Sequence, residues 1–340
     1  MTLRFTDSFD HYATAALTEK WTSITNVPTI SAGNGRRSTA SFRNATNVLG
    51  TATKTLDAQA TWIIGFSFKM ASSLPAASRA MVGVLDAGTD QCDLRVKADG
   101  TMEITRNGTV LGTTTYALSV GSTYYIEFKV VIHDTTGTAE VKVDGSSKLA
   151  LTSVDTKNTA NATANQVRIG PGGAATGFWD YDDVYICDGA GSVNNNFLGD
   201  CRVDAYAPNG NGNSSQLVGS DGNSTDNYLL VDESAPNDDT DYVESATAGN
   251  KDTYTVADMS HTPSSIFGVQ ILANAKKDDA GARSVATVTR SGVTDFDGAT
   301  QALSTSYVYY SDIRETDPNT SAAWTKTNFN AAEFGVKVAA

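Results

Sequence analysis

Short runs of β-branched and aromatic residues, cut at close intervals by Asn-Gly, Asp-Gly and other Gly-rich turns, leave this chain little room for long helices. The clearest run is residues 124–134 (YYIEFKVVIHD), where Tyr124, Ile126, Phe128, Val130 and Ile132 alternate with Tyr125, Glu127, Lys129 and Val131. A period of two marks a half-buried strand. Residues 62–70 (WIIGFSFKM) read the same way, with Ile64, Phe66 and Phe68 on one face. Residues 92–97, 102–106 and 109–111 form a meander, because Ala98-Asp99-Gly100 and Asn107-Gly108 favour tight hairpin turns. Residues 80–85, 139–143, 149–154, 166–169 and 178–187 complete the set. A parallel sheet would need a helix between successive strands, and no window supplies one. The expected class is all-β, built as paired antiparallel sheets.

The chain has 340 residues, enough for two domains. After residue 206 the text becomes Ala-Pro-Asn-Gly-Asn-Gly-Asn-Ser-Ser, then Gly-Ser-Asp-Gly-Asn-Ser-Thr, and apolar periodicity vanishes. We therefore read residues 1–206 as one domain, 207–227 as an Asn/Gly/Ser-rich linker or loop, and 228–340 as a second, smaller β-sandwich. Strands are expected there at residues 228–231, 252–256, 265–275, 283–290 and 306–314. Residues 327–334 can form a helical turn or two, which Gly335 would end before a last strand at 336–338.

With 25 basic and 38 acidic side chains the net charge is −13, which argues against a nucleic-acid grip through phosphate neutralisation. No run approaches the roughly 20 apolar residues of a membrane span, and the opening residues lack the apolar run of a secretory signal. Cys92, Cys187 and Cys201 make neither a disulfide framework nor a CxxC pair, so free thiols are expected. His11, His133 and His261 fall in no zinc or relay motif, and GxSxG is missing. Gly170-Pro171-Gly172-Gly173 lies between strands, which makes it a turn rather than a phosphate cradle.

Two stretches carry a resemblance. Phe5-Thr6-Asp7-Ser8-Phe9-Asp10-His11-Tyr12, followed by Lys20-Trp21, resembles the first strand of the concanavalin A-like (laminin-G-like) jelly rolls found in virion proteins of tailed bacteriophages. Gly177-Phe178-Trp179-Asp180-Tyr181-Asp182-Asp183-Val184-Tyr185 is similar to that family's late strand, and Asn194–Val203 to the passage leaving the domain. The resemblance implies a concanavalin A-like jelly-roll sandwich over residues 1–206, a structural virion protein, other virion proteins and further copies of the chain as partners, and assembly into the virion after synthesis in the host cytoplasm.

The same architecture also carries lectins and glycosidases. A glycan-binding adhesin directed at host surface polysaccharide is therefore the second reading, and a polysaccharide depolymerase the third. Trp179 beside Tyr181 is the pair best placed to stack on a sugar, although tryptophans in sandwiches commonly anchor cores. A structural calcium at the sandwich rim is the one cofactor to consider. Asp180 with Asp182 are its named candidates, beside Asp86 with Asp90, Asp238 to Asp241, and Asp295 with Asp297. Hydrolysis would need two carboxylates close together. Glu103 and Glu127 stand alone, the Glu-x-Asp-x-x-Glu string of the superfamily's glucanases is missing, and strand alternation sends adjacent Asp182 and Asp183 to opposite faces. The chain is accordingly expected to present surfaces rather than to catalyse a reaction.

Overall fold

The computed structural model describes residues 2–26, 28–44, 50–171 and 177–340. The chain divides into two compact units, Met1–Val203 and Asp204–Ala340.

In the first unit, one antiparallel sheet runs from edge to edge through Ser146–Val154, Gly137–Val143, Thr123–Val131, Thr61–Met70, Trp179–Asp188, Ser41–Asn44 and Thr29–Ser31. Leu3–Asp7 also pairs with Trp179–Asp188, beyond the end of Ser41–Asn44. The second sheet runs through Thr109–Ala117, Thr101–Arg106, Thr89–Val96, Arg79–Asp86, Ala164–Ile169, Thr51–Gln59 and Ser23–Thr25. Thr51–Gln59 escapes an alternation test because its burial is confined to the first three residues.

The alternating residues explain the layers. Phe42, Phe66, Phe68, Ile126, Phe128, Val130 and Tyr181 from the first sheet are buried, as are Val82, Val84, Leu94, Ile104, Val167 and Ile169 from the second. Each large side chain withdrawn from water stabilises the fold by about 1.5–3 kcal/mol. Two buried polar tips are satisfied across the gap: Trp62 Nε1 donates to Ala164 O (3.1 Å) and Tyr181 OH to Met81 O (3.1 Å). The result is the expected all-β jelly-roll sandwich.

The opening motif is a buried polar clamp. Asp7 ends the first strand, and its carboxylate accepts from Tyr12 OH (2.6 Å), Trp21 Nε1 (2.8 Å) and Phe9 N (2.9 Å). Lys20 Nζ lies 3.1 Å from Asp7 Oδ1 and donates to His11 Nε2 (2.9 Å). Burial opposes the Asp7 anion, but Lys20 and the Tyr12 and Phe9 hydrogen bonds outweigh it and hold the carboxyl below its ordinary value. Burial, with Lys20 next to it, depresses His11 to about 3, so its imidazole is neutral and can accept.

The second unit carries an antiparallel sheet ordered Pro208–Ser215, Lys251–Val256, Glu333–Val338, Ser284–Ser291 and Thr294–Asp297, with Gln301–Ala302 also on Ser284–Ser291. Val269–Ala275 pairs separately with Val308–Arg314. Three sequence expectations are corrected here. The stretch 207–227, expected as a linker or loop, contains the strand Pro208–Ser215, paired with Lys251–Val256 through backbone bonds that need no apolar pattern. Residues 228–231 lie in the single 3₁₀ turn Asn227–Leu230 and the residue after it, not in a strand. The helix Lys326–Asn330 forms, with Thr325 Oγ1 capping Asn328 N (3.1 Å), but Gly335 sits inside the last strand rather than ending the helix. A Cβ there would collide with the Asp252 carbonyl, so this glycine permits close strand approach.

Asp7→Ala leaves Lys20 charged and buried without its partner. It is expected to cost about 3–5 kcal/mol in denaturant unfolding of the first unit. Asp7→Ala combined with Lys20→Met should recover part of that loss, since no buried charge then remains unpaired.

Candidate functional site

The polar side of the first sheet is organised by the strand Trp179–Asp188, every residue of which is buried. Alternation turns Trp179 and Tyr181 inward and Asp180 outward. Trp179 packs edge-on against Phe68 (5.3 Å between centroids) and Tyr181 against Phe42 and Phe68, both fully buried. The pair expected to stack on sugar is therefore part of the core, and no glycan can reach it.

Asp180 is likewise engaged by its neighbours. Arg43, directly opposite on the neighbouring strand, grips it with two bonds, Nε to Oδ1 (2.7 Å) and Nη2 to Oδ2 (2.8 Å), and Ser41 Oγ also donates to Oδ1 (2.9 Å). Asp182 is taken up by the loop described next. Several of the other acidic candidates also have internal partners: Asp86 accepts from Thr159 Oγ1 (2.7 Å) and Asn161 Nδ2 (2.9 Å), Asp90 pairs with Arg168 (2.9 Å), Asp239 with Lys276 (2.7 Å), Asp295 with Arg290 (2.8 Å), and Asp297 with Lys337 (2.5 Å). Among the described residues, no group of three or more His, Cys, Asp or Glu is placed to hold an ion.

The alternation argument fails at one point, and the failure builds the site. The register of Trp179–Asp188 against Thr61–Met70 shifts between Asp182 and Tyr185, and Asp183 adopts a left-handed φ of 49°. Such a bulge re-aims side chains. Adjacent Asp182 and Asp183, expected on opposite faces, both reach the loop at residues 35–39. Asp182 Oδ2 accepts from Arg36 N (2.7 Å) and Thr39 Oγ1 (3.0 Å), while Asp183 Oδ2 accepts from Arg37 Nη1 (2.8 Å). Asp183 Oδ1 also accepts from Val203 N (2.8 Å). Burial first, then the neighbouring Asp183 charge, push Asp182 up to about 8, against the donors it accepts.

The anchored loop forms one wall of a cleft of about 400 Å³. Gly33, Asn34, Gly35, Arg36, Arg37 and Ser38 face Lys69, Thr123, Tyr124, Tyr125 and Asp144 across it. Arg36 lies over the Tyr125 ring (5.3 Å), fixed by Cys201 O (3.1 Å) and Asp200 Oδ2 (2.6 Å). Arg37 and Ser38 hold consecutive left-handed conformations (φ 61° and 65°), a strain that persists only where surrounding contacts impose it. Glu127 lies apart from these lining residues, accepting from Tyr185 OH (2.5 Å) and Gly199 N (2.8 Å), and Glu103 accepts from Ser78 Oγ (2.5 Å). Composition and strand periodicity do not single out this loop, although Arg36-Arg37 stands as an adjacent basic pair beside Gly33 and Gly35.

No protein-family model matches the chain, and no curated protein sequence matches it. Solved structures give partial likenesses. A sialidase aligns at 15% identity and a TM-score of 0.41 over 54% of this chain and 18% of its own. The alginate lyase Aly36B aligns at 14% identity and 0.39 over 54% of this chain and 95% of its own. The cellulose-induced protein Cip1 aligns at 12% identity and 0.41 over 54% and 96%. The chain thus spans under a fifth of that sialidase, and these likenesses concern β architecture alone.

The folded chain holds the Asp182 proton more tightly than the unfolded chain, whose carboxyl titrates near 3.8. Asp182 therefore contributes stability that is present at low pH and is lost as pH rises from 3.8 through about 8. Asp182→Asn is expected to flatten this part of the stability-against-pH curve, measured by denaturant titration at a series of pH values. An unchanged slope would refute the assignment.

Proposed function

We propose that the chain is a non-catalytic structural protein of a tailed-bacteriophage virion, acting through protein–protein contacts. The observation that carries the non-catalytic part is the state of its carboxylates. Glycoside hydrolysis typically calls for two carboxyl groups facing one substrate. Among the described residues, Asp144 is the single carboxylate lining the cleft. Asp180 and Asp183 on the central strand are bound to Arg43 and Arg37, and Asp188 is bound to Arg4 (2.9 Å).

The virion placement is supported by the residues that carry the resemblance, Phe5–Tyr12 and Gly177–Tyr185, which form the Asp7 clamp and the central strand. Closed polar networks of this kind suit a rigid module presented in many copies, where multiplicity raises avidity for neighbours. Mass spectrometry of purified phage particles from the source host is expected to find the chain, and labelled electron microscopy to place it on head, neck or tail. Its absence from particles would end the virion reading. Release of new reducing ends from host polysaccharide by the purified chain would end the non-catalytic one.

A further inference from the structure

We propose that the cleft between the loop at residues 33–38 and the strand ends at Lys69 and Thr123–Tyr125 binds a carboxylate-bearing saccharide, whose acid group pairs with Lys69 and Arg37. This goes beyond a structural role and does not depend on where the chain is mounted.

Charge is the first argument. In a chain of net charge −13, three cations, Arg36, Arg37 and Lys69, converge on one opening. They are not equally committed. Arg36 is clamped by Cys201 O and Asp200 and serves as a fixed wall. Arg37 uses one nitrogen on Asp183 and keeps 37% of its side chain exposed, with further guanidinium donors to offer. The Lys69 side chain is half-buried and makes no ion pair or hydrogen bond among the described residues. Across the sheet it stands level with Asp180, but Arg43 and Ser41 already hold that carboxylate. A half-buried ammonium that pairs with none of the carboxylates near it suits an anion from outside the chain.

The rest of the lining selects among anions. It contains no aliphatic side chain larger than a threonine methyl, so an apolar ligand gains little there. Asn34, Ser38, Thr123 and Asp144 offer amide, hydroxyl and carboxylate groups to hydroxyls, and Asp144 spends one oxygen on Tyr125 N (2.8 Å). Tyr124 faces the other side of the sheet, level with Phe68 and edge-on to Tyr116 (6.4 Å), so the cleft offers a sugar polar groups rather than a stacking ring. A densely charged phosphate chain would meet both Asp144 and the long-range repulsion of an acidic protein. A single carboxylate set among hydroxyls meets neither obstacle to the same degree. The strained Arg37 and Ser38 backbone, fastened by Asp182, presets the cation rather than leaving it to fold around the ligand.

The test titrates the full chain calorimetrically with a panel of uronate- and sialate-containing oligosaccharides, their carboxyl-reduced counterparts and oligoglutamate. At least one acidic saccharide is expected to bind tenfold or more tightly than its reduced form, and Lys69→Glu to weaken that binding at least tenfold. Lys69→Gln, which removes charge without reversing it, should give an intermediate loss. Failure of every acidic saccharide, indifference to carboxyl reduction, wild-type affinity in Lys69→Glu, or tighter binding of oligoglutamate would each overturn the proposal. Particle composition is read separately, so either conclusion can fail alone.

Discussion

Four carboxylates on one wholly buried strand set the terms for the first unit. Asp180, Asp182, Asp183 and Asp188 all lie in Trp179–Asp188 and are at most 3% exposed. Removing an ion from water costs several kcal/mol unless charge and hydrogen bonds replace the solvent. The replacements come from distant parts of the chain: Arg4 for Asp188, Arg43 for Asp180 and Arg37 for Asp183, while Asp182, pushed up to about 8, is held by the Arg36 amide and Thr39. Each partner fixes an element that packs on this strand. Arg4 lies in the first strand, Arg43 in Ser41–Asn44, and residues 33–38, between them in sequence, line the cleft.

The opening motif follows the same logic. Asp7 is buried by Phe5, Phe9, Tyr12 and Trp21, and those rings can close over it only because Lys20 supplies a cation and Tyr12 and Trp21 turn their own donors inward. The spacing of Asp7, Tyr12, Lys20 and Trp21 is therefore a packing requirement. Residues that mark a resemblance can be ones that make the domain fold, leaving its ligand to be decided by a loop elsewhere.

Much of the architecture could be read from residue order. The alternation in residues 62–70 and 124–134 and the turns at Asn107-Gly108 and Asp144-Gly145 correspond to paired strands and tight connections. What could not be read has physical causes. Period-two reasoning has no way to register a bulge, so Asp182 and Asp183 appeared divergent until the backbone at Asp183 was seen to turn left-handed. Pro208–Ser215 contains no β-branched residue, and its place in a sheet comes from pairing with a strand some forty residues later. The cleft was hidden for a related reason. Lys69 and Tyr125 sit on strands and Arg36 on a loop, and only tertiary pairing makes them neighbours.

The depth of the ion pairs also separates this unit from its surface decoration. Lys97 with Asp99 stands in solvent, where mobile counterions weaken the pair readily. The Arg43–Asp180 grip and the Lys20–Asp7 contact lie where such ions do not enter. The jelly roll's internal cohesion should therefore persist from dilute buffer to brine, while attachments made through its rim respond to ionic strength.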